Sequence, residues 1–448
     1  MAIRIYYFLL RLVSGLRHSL SQRATTAGLL VLAGLAGSAV LGMDTTKNAA
    51  HEAFTLLAAL VLVAFLINRR FRPSLELRRD LPRFGTAGQP FTYRITLRNT
   101  GHRLLRNLSL TERFSDPRPS FAEFSARVEY GYAHGRKWIR DSMYRDWRML
   151  TDRDRIAEPT RQDLPIVPAR GVTELSLDLV PLRRGRLQFE ALAVGRSDPF
   201  GLFRSVRAVP SAQSILILPK RYPLPQMRLG GGRKYHQGGV TLASNIGNSD
   251  EFMSLRDYRQ GDPLRNIHWK SWARTGRPVV KEHADEFFAR HALVLDTFSP
   301  GEDRVFEEAL SVAASFLAQV ETNDSLLDLM FVGNEAYCIT TGRSIGRAER
   351  ALEVLACARA CPDRSLDSLE SLVLGRAGLL SSCICVLLAW DRERRDFVGK
   401  LQALGIPVKV IVVQEPAGRP LDPGPMSGRL ESFHVLETGK IAEGMMSL

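Results

Sequence analysis

The sequence predicts a multidomain protein with two transmembrane helices, then an antiparallel β-sandwich, then a doubly wound α/β domain. Two apolar segments without charged side chains, 27–43 and 53–67, indicate the helices. Residues 72–219 contain runs that alternate apolar and polar side chains, which is the period of a half-buried strand. After residue 282, apolar strand-like runs alternate with helical segments, which is typical of a largely parallel sheet covered by helices.

Composition limits the partners and the compartment. The chain has 448 residues, enough for two or three domains, and a net charge of +14. Such a charge is compatible with nucleic acid, an anionic membrane surface or an acidic protein as the partner. The 5 cysteines all lie in the last quarter of the chain, and no histidines stand near them at metal-ligand spacing. An odd number so placed favours buried thiols in a reducing compartment.

Both apolar segments are close to the shortest helix that can cross about 30 Å of hydrocarbon. A cleaved signal peptide with small residues at 36–39 would explain the first segment, and a buried helical hairpin would explain both. We expect a transmembrane hairpin over 27–67, because residues 1–26 precede the first segment and the second follows at once. Residues 1–26 are basic and apolar, as in a helix that lies on a membrane surface.

Arginines flank the hairpin on both sides, whereas its loop has only Lys47 against Asp44 and Glu52. The positive-inside rule therefore places both ends, and everything after residue 67, in the cytoplasm. The flanking arginines are Arg4, Arg11, Arg17 and Arg23 before the hairpin, and Arg69, Arg70, Arg72, Arg78 and Arg79 after it.

Short alternating runs between Gly, Pro and Asn turns predict an immunoglobulin-like antiparallel sandwich over 72–219. The alternation is lost at 115–161, which predicts an insertion that is helical in part. Residues 220–248 are rich in glycine and read as a flexible linker, since they lack the ending of a phosphate-binding loop.

Two aspartates of the α/β domain, residues 282–448, follow predicted strands directly. In an open α/β sheet, ligands bind beyond the carboxyl ends of the strands, where Asp296 and Asp391 are expected to lie. The pattern is similar to a von Willebrand factor A domain, which binds Mg²⁺ through an Asp-x-Ser-x-Ser motif, a distant Thr and a later Asp. Here Phe298 and Pro300 occupy the serine positions, so the motif is degenerate. The aspartates either hold Mg²⁺ weakly, with help from Thr297 or Ser299, or cap the turns and helices that follow.

The sequence contains no catalytic motif that we recognise. No His-Glu-x-x-His helix is present, and the single Gly-x-Ser-x-Gly spacing, at residues 342–346, is not by itself a nucleophile elbow. We therefore predict no catalytic residues, no required cofactor and no enzymatic activity.

The segment 249–281, between the β and α/β regions, is dense in Arg, Asp and Trp. Ser249 is placed to cap a helix with an apolar stripe at Phe252, Leu255 and Tyr258, and Gly261 is placed to end it. Asp262-Pro263 is then typical of a second helix start. The charges predict a clasp between domains through Arg–carboxylate pairs, or a surface for an anionic partner. The candidate residues are Glu251, Arg256, Tyr258, Asp262, Arg265, Trp269, Lys270 and Arg274.

This segment closely resembles the signature of the family called domain of unknown function 58, and residues 197–203, Ser-Asp-Pro-Phe-Gly-Leu-Phe, are similar to a second family element. The resemblance implies an N-terminal membrane anchor and a C-terminal von Willebrand factor A-like domain. It also implies a role beside MoxR-type AAA+ ATPases in assembling or activating other proteins. No catalytic residues are established for the family, so none are carried over.

We therefore expect a non-enzymatic, two-pass scaffold or adaptor in the inner membrane of a bacterium, with its soluble domains in the cytoplasm. Its expected partners are a MoxR-type AAA+ ATPase, other membrane proteins and the lipid bilayer. One alternative is a Mg²⁺-dependent ligand-binding or hydrolytic protein that uses Asp296 and Asp391. Another, resting on charge alone, is a protein that binds nucleic acid or an anionic surface.

Overall fold

The computed structural model describes residues 2–41, 48–133, 140–225, 235–236, 252–262, 264–283, 287–299, 304–319, 325–342, 345–362, 364–416 and 420–448. The chain forms two compact units, Met1–Lys220 and Arg221–Leu448. Each unit has its own apolar core.

The first unit begins with three helices, α1 (Ala2–Arg23), α2 (Thr26–Leu41) and α3 (Asn48–Arg69). Within the described residues, one helix is long and apolar enough to cross a membrane, the 21 residues Ala49–Arg69. Helix α2 is also apolar but has 16 residues, or about 24 Å of length. The length criterion is therefore met by one of the two predicted transmembrane helices. A Cβ on Gly34 would lie 3.4 Å from Leu57 Cδ1, so the small residue lets α2 approach α3 closely.

Two sheets follow and pack over one core. A three-stranded antiparallel sheet has the order β1-β3-β6, and a five-stranded sheet has the order β2-β8-β7-β4-β5, with β2 and β8 parallel. Ile95, Leu110, Leu192 and Ile217 come from both sheets and are fully buried. The strands are β1 (Leu75–Asp80), β2 (Phe84–Thr86), β3 (Phe91–Asn99), β4 (Leu108–Phe114), β5 (Arg161–Leu164), β6 (Val172–Leu179), β7 (Gly185–Ser197) and β8 (Arg204–Leu218).

Two helices, α4 (Phe121–Ala133) and α5 (Arg140–Asp154), occupy the stretch where the alternation is lost. They form a small core of their own with α1. The ring of Tyr7 packs against Phe124 and Trp147, and its hydroxyl donates to the Pro119 carbonyl at 3.1 Å. One face of α1 is thus held by the insertion.

The second unit contains a largely parallel sheet of order β14-β13-β12-β15-β16-β17, with β9 paired to β12 off this path. Strand β14 is antiparallel to β13. The order reverses between β12 and β15, which is where open α/β sheets bind ligands. The strands are β9 (Tyr235–His236), β12 (Phe287–Leu295), β13 (Ser325–Val332), β14 (Ala336–Thr341), β15 (Ser382–Leu387), β16 (Val408–Gln414) and β17 (Phe433–Glu437).

Helices cover both faces of this sheet. Helix α7 (Arg304–Gln319) packs on one face, and α9 (Leu366–Leu374) with α10 (Arg392–Ala403) packs on the other. Helices α8 (Ile345–Cys357) and α11 (Ile441–Met446) lie beside β14 and β17. Because helices cover both faces of the sheet, β15 is buried along its whole length.

The signature segment contains strands β10 (Phe252–Asp257) and β11 (Val279–His283), which pair antiparallel as a separate two-stranded sheet. The predicted helix through Phe252, Leu255 and Tyr258 is therefore wrong. The β-branched pair at 279–280 supplies a partner strand, and this long-range pairing outweighs a local spacing of three that suits a helix. Between the strands lie a one-turn 3-10 helix, Leu264–Asn266, and α6 (Trp269–Thr275). Ser249 lies outside the described residues.

Candidate functional site

The turn after β10 is held by a bidentate ion pair. Arg256 Nη1 donates to Asp262 Oδ2 at 2.7 Å, and Arg256 Nη2 donates to Oδ1 at 2.8 Å. The Arg259 amide also donates to Asp262 Oδ2, at 2.8 Å. Asp262 therefore ties the strand to the turn that precedes the 3-10 helix at Leu264–Asn266, and Gly261 has the positive φ of 109° that this turn needs.

We predict that Asp262 titrates unusually low. The hydrogen bond from Arg256 lowers the pKa of Asp262 from 3.8 to about 2. Because the folded pKa lies below the ordinary value, the pair stabilises the turn above about pH 4, and this contribution is lost as pH falls toward 2. Carbon-13 carboxyl NMR of aspartate-labelled protein would measure this, with Asp262→Asn assigning the signal. Arg256→Gln is expected to return the midpoint toward 3.8, and a wild-type midpoint already near 3.8 would contradict the prediction.

Helix α6 carries an exposed aromatic stack. The rings of Trp269 and Trp272 lie 5.2 Å apart at an interplanar angle of 19°, and Trp269 remains 62% exposed. Lys270 and Arg274 on the same short helix are also exposed. The helix ends at Gly276, whose φ of 67° is the left-handed cap conformation. A stacked tryptophan pair surrounded by positive charge is suited to contact a partner.

The remaining predicted clasp residues differ in placement. The Tyr258 amide donates to the Pro278 carbonyl at 2.9 Å, which joins the two strands of the hairpin. Glu251 lies outside the described residues, and the side chain of Arg265 is not described. Ile267 and Val280 are both buried and are joined by a backbone β-bridge.

The two aspartates of the predicted metal motif converge on Arg394. Arg394 Nε donates to Asp296 Oδ2 at 2.6 Å, and Arg394 Nη1 donates to Asp391 Oδ2 at 2.5 Å. Asp296 is fully buried, and only 7% of Arg394 is exposed. Burial opposes the charge on Arg394, but the carboxylates outweigh burial and raise its pKa. A guanidinium thus occupies the position between the carboxylates.

Backbone amides use the other lone pairs of these carboxylates. Asp296 accepts from the Phe298 amide at 2.9 Å and from the Leu388 amide at 3.1 Å. Asp391 caps α10 by accepting from the Arg394 amide at 3.0 Å, which confirms the predicted capping role. The Thr297 hydroxyl donates to the Val332 carbonyl at 2.5 Å. In the part of the chain that the structure describes, no group of three His, Cys, Asp or Glu side chains is placed to hold a metal.

The second motif, residues 197–203, anchors the start of α2. Asp198 is buried and accepts from the amides of Phe200 and Phe203 at 2.8 and 2.5 Å, which fixes the turn. The Leu202 carbonyl then accepts from the Thr25 amide at 3.0 Å. A Cβ on Gly28 would stand 2.1 Å from that carbonyl oxygen, so this approach requires glycine. The motif is thus part of the connection between α2 and the five-stranded sheet.

Sequence reasoning missed Arg394, Arg161 and Arg204. Arg394 stands three residues after Asp391, and that spacing on a helix places both side chains on one face, so a signal was available. Arg161 and Arg204 are distant in sequence and meet only through sheet pairing, which no local pattern indicates.

Comparison with known proteins supports the resemblance of the signature segment to the domain of unknown function 58 family. Residues 254–422 match the family described as "Protein of unknown function DUF58". A relative, "Uncharacterized protein YeaD" of Bacillus subtilis (strain 168), is 27% identical over 164 residues, covering 36% of this chain and 39% of that protein. The chain thus spans well under half of the curated relative's length.

Among solved structures, the CARDB domain of the PF1109 protein of Pyrococcus furiosus, in complex with di-metal ions, aligns with a TM-score of 0.17 at 8% identity. The alignment covers 33% of this chain and 89% of that domain. A superposition this weak does not describe a shared fold.

Proposed function

We propose that this protein is a non-enzymatic scaffold or adaptor that is tethered to a membrane. It docks a protein partner through the signature hairpin, which consists of β10, α6 and β11. The observation that carries the proposal is the exposed stack of Trp269 on Trp272 on α6, in the segment whose first turn Arg256 and Asp262 fix. Tryptophan and arginine are the residues most enriched at the energetic centres of interfaces. The resemblance to DUF58 proteins favours a MoxR-type AAA+ ATPase as that partner.

The membrane part of the proposal rests on α1 and α3. Helix α3 is long and apolar enough to cross a bilayer. The face of α1 opposite Tyr7 is also apolar and exposed, and its residues recur at helical spacing. A lipid surface would cover it. A two-pass hairpin requires the shorter α2 to cross as well, which local thinning of the bilayer would permit. The exposed residues are Ile5, Phe8, Leu9, Leu12, Val13, Leu16 and Leu20.

The finer fold assignments belong to the same proposal. The two sheets of the first unit favour an immunoglobulin-like sandwich, and the strand order of the second favours a von Willebrand factor A-like fold. In that interpretation Arg394 occupies the edge of the sheet where a von Willebrand factor A domain binds its metal ion. The unit would then bind a partner through its surface. A Mg²⁺-dependent activity would require Arg394 to leave both carboxylates.

We predict that Trp269→Ala weakens partner binding about 30-fold, which corresponds to the roughly 2 kcal/mol of a hot-spot residue. The tagged full-length chain would be purified from detergent-solubilised membranes with a non-hydrolysable ATP analogue, and bound ATPase would be quantified by mass spectrometry. Affinity would then be measured with the purified pair.

Leu430→Ala is the matched control, because Leu430 is equally exposed, at 62%, but lies elsewhere in the same unit. It should bind like wild type. Recovery of no AAA+ ATPase, with or without nucleotide, would end the partner claim. Equal binding by the Trp269 and Leu430 variants would remove the hairpin from the interface.

A further inference from the structure

Arg204, at the start of β8, has a buried donor that the described residues leave unsatisfied. Its Nε atom is buried and has no hydrogen-bond partner in the described part of the chain. Burial lowers the pKa of Arg204, and the like charge of Arg161 lowers it further. Both guanidinium groups line one cavity, and an anion held between them would relieve their repulsion.

Two cavities meet at Arg204. The first, of about 240 Å³, is lined by polar and apolar groups and lies between the end of α1 and the outer face of the five-stranded sheet. Arg161 and Ser109 line it. The small residues Ala193 and Gly195 of β7 leave space on the side of the cavity that faces the sheet. A Cβ on Gly195 would lie 2.9 Å from Ser109 Oγ, which is too close. With Arg161 and Arg204 in its lining, the space has the size and positive charge for a phosphate group.

The second cavity, of about 400 Å³, continues from Arg204 onto the membrane helices. Leu32 of α2 and Val61 and Phe65 of α3 form an apolar wall. Arg23 and Arg69, at the ends of α1 and α3, add positive charge. Arg204 thus lies between a cavity lined by two arginines and an apolar groove that runs along helices suited to a bilayer.

We propose that these two cavities bind one anionic phospholipid, with its phosphate at Arg161 and Arg204 and an acyl chain along Leu32, Val61 and Phe65. Guanidinium groups bind phosphate oxygens in a bidentate manner, which would satisfy the buried Nε. Basic pockets at the cytoplasmic end of transmembrane helices are suited to anionic headgroups. A free phosphate ion would leave the apolar groove unused. This inference rests on the proposed membrane location.

The test measures thermal unfolding of the full-length protein in a neutral detergent with added short-chain lipid. Dihexanoyl phosphatidylglycerol should raise Tm by several degrees, whereas dihexanoyl phosphatidylcholine should not, because a ligand that binds only the folded state stabilises it. If inorganic phosphate produced the same shift at the same concentration, the site would be one for a free anion and the lipid proposal would be overturned.

Arg204→Gln and Arg161→Gln should each abolish the shift from phosphatidylglycerol. Arg204→Gln should also raise Tm in the absence of lipid, because it removes an unsatisfied charge from beside Arg161. Arg98→Gln is the charge-matched control, since the Arg98 side chain is 66% exposed in the same unit, and it should keep the full shift. A full shift in Arg204→Gln would overturn the proposal.

A failure of the lipid site can be distinguished from a failure of the proposed membrane tether. Alkaline extraction of native membranes tests tethering, and release of the chain into the soluble fraction would end that part of the proposed function. A firmly embedded chain whose Tm does not respond to phosphatidylglycerol would instead overturn the lipid site alone.

Discussion

Replacing Arg394 by methionine is expected to lower the free energy of unfolding of the second unit by about 3–5 kcal/mol. Arg394 neutralises Asp296, a carboxylate that is fully buried beside β12 and β15. Without the guanidinium, that charge remains in a low-dielectric interior, where two backbone amides of the described residues are its partners. The measurement is hydrogen exchange of the β12 and β15 amides, which reports the opening of this unit separately from the other.

Arg392→Met is the control, because the Arg392 side chain is 95% exposed and its nearest carboxylate, on Asp396, is 3.8 Å away. It should change the free energy by no more than about 0.5 kcal/mol. Asp391→Ala should be intermediate, at about 1 kcal/mol for a lost helix cap. Equal protection in the two arginine variants would mean that the Asp296–Arg394 pair does not stabilise the unit.

The Arg394→Met variant also tests whether Asp296 and Asp391 bind Mg²⁺. Once Arg394 is gone, Asp296 and Asp391 face an open position near the carboxyl edge of the sheet. If Mg²⁺ restored the lost protection in Arg394→Met and bound wild type in calorimetry, a cation would compete with Arg394 in the native protein. We expect no binding to wild type, because the guanidinium already supplies the positive charge.

The sequence was sufficient to predict elements whose pattern is local. An uninterrupted apolar run predicts a strand over 383–390, and an aspartate cap predicts a helix over 391–404. Strand β15 and helix α10 fall close to these positions. The expectation that Asp296 and Asp391 would meet at one edge was also within reach, since both follow parallel strands.

Features that depend on distant partners were not predictable in the same way. Strand β10 pairs with residues more than twenty positions later, so its local spacing indicated a helix. Asp296 and Asp391 were considered as metal ligands, yet Arg394 between them changes their chemistry. Arg204 and Arg161 become neighbours only when β8, β7, β4 and β5 assemble. In each case the deciding contact is tertiary.

The second large effect is expected at Arg79 in the first unit, whose side chain is fully buried. Arg79 Nη2 donates to Glu112 Oε2 at 2.8 Å, and the guanidinium lies 4.6 Å from the centre of the Phe189 ring. The Tyr93 hydroxyl donates to Glu112 at 3.0 Å. Burial raises the pKa of Glu112, whereas Arg79 acts in the opposite direction. These residues lie on β1, β3, β4 and β7, so the network joins both sheets.

Arg79→Met should therefore lower the free energy of unfolding of the first unit by about 3–5 kcal/mol, because it leaves Glu112 buried without its counter-charge. The double variant Arg79→Met, Glu112→Leu should recover much of that loss, since an apolar pair removes the desolvation of both charges. Arg78→Met is the control, because the neighbouring Arg78 side chain is 81% exposed. Hydrogen exchange of the β3 and β4 amides measures all three. A double variant as unstable as Arg79→Met alone would show that packing by the Arg79 side chain, and not its charge, holds the two sheets together.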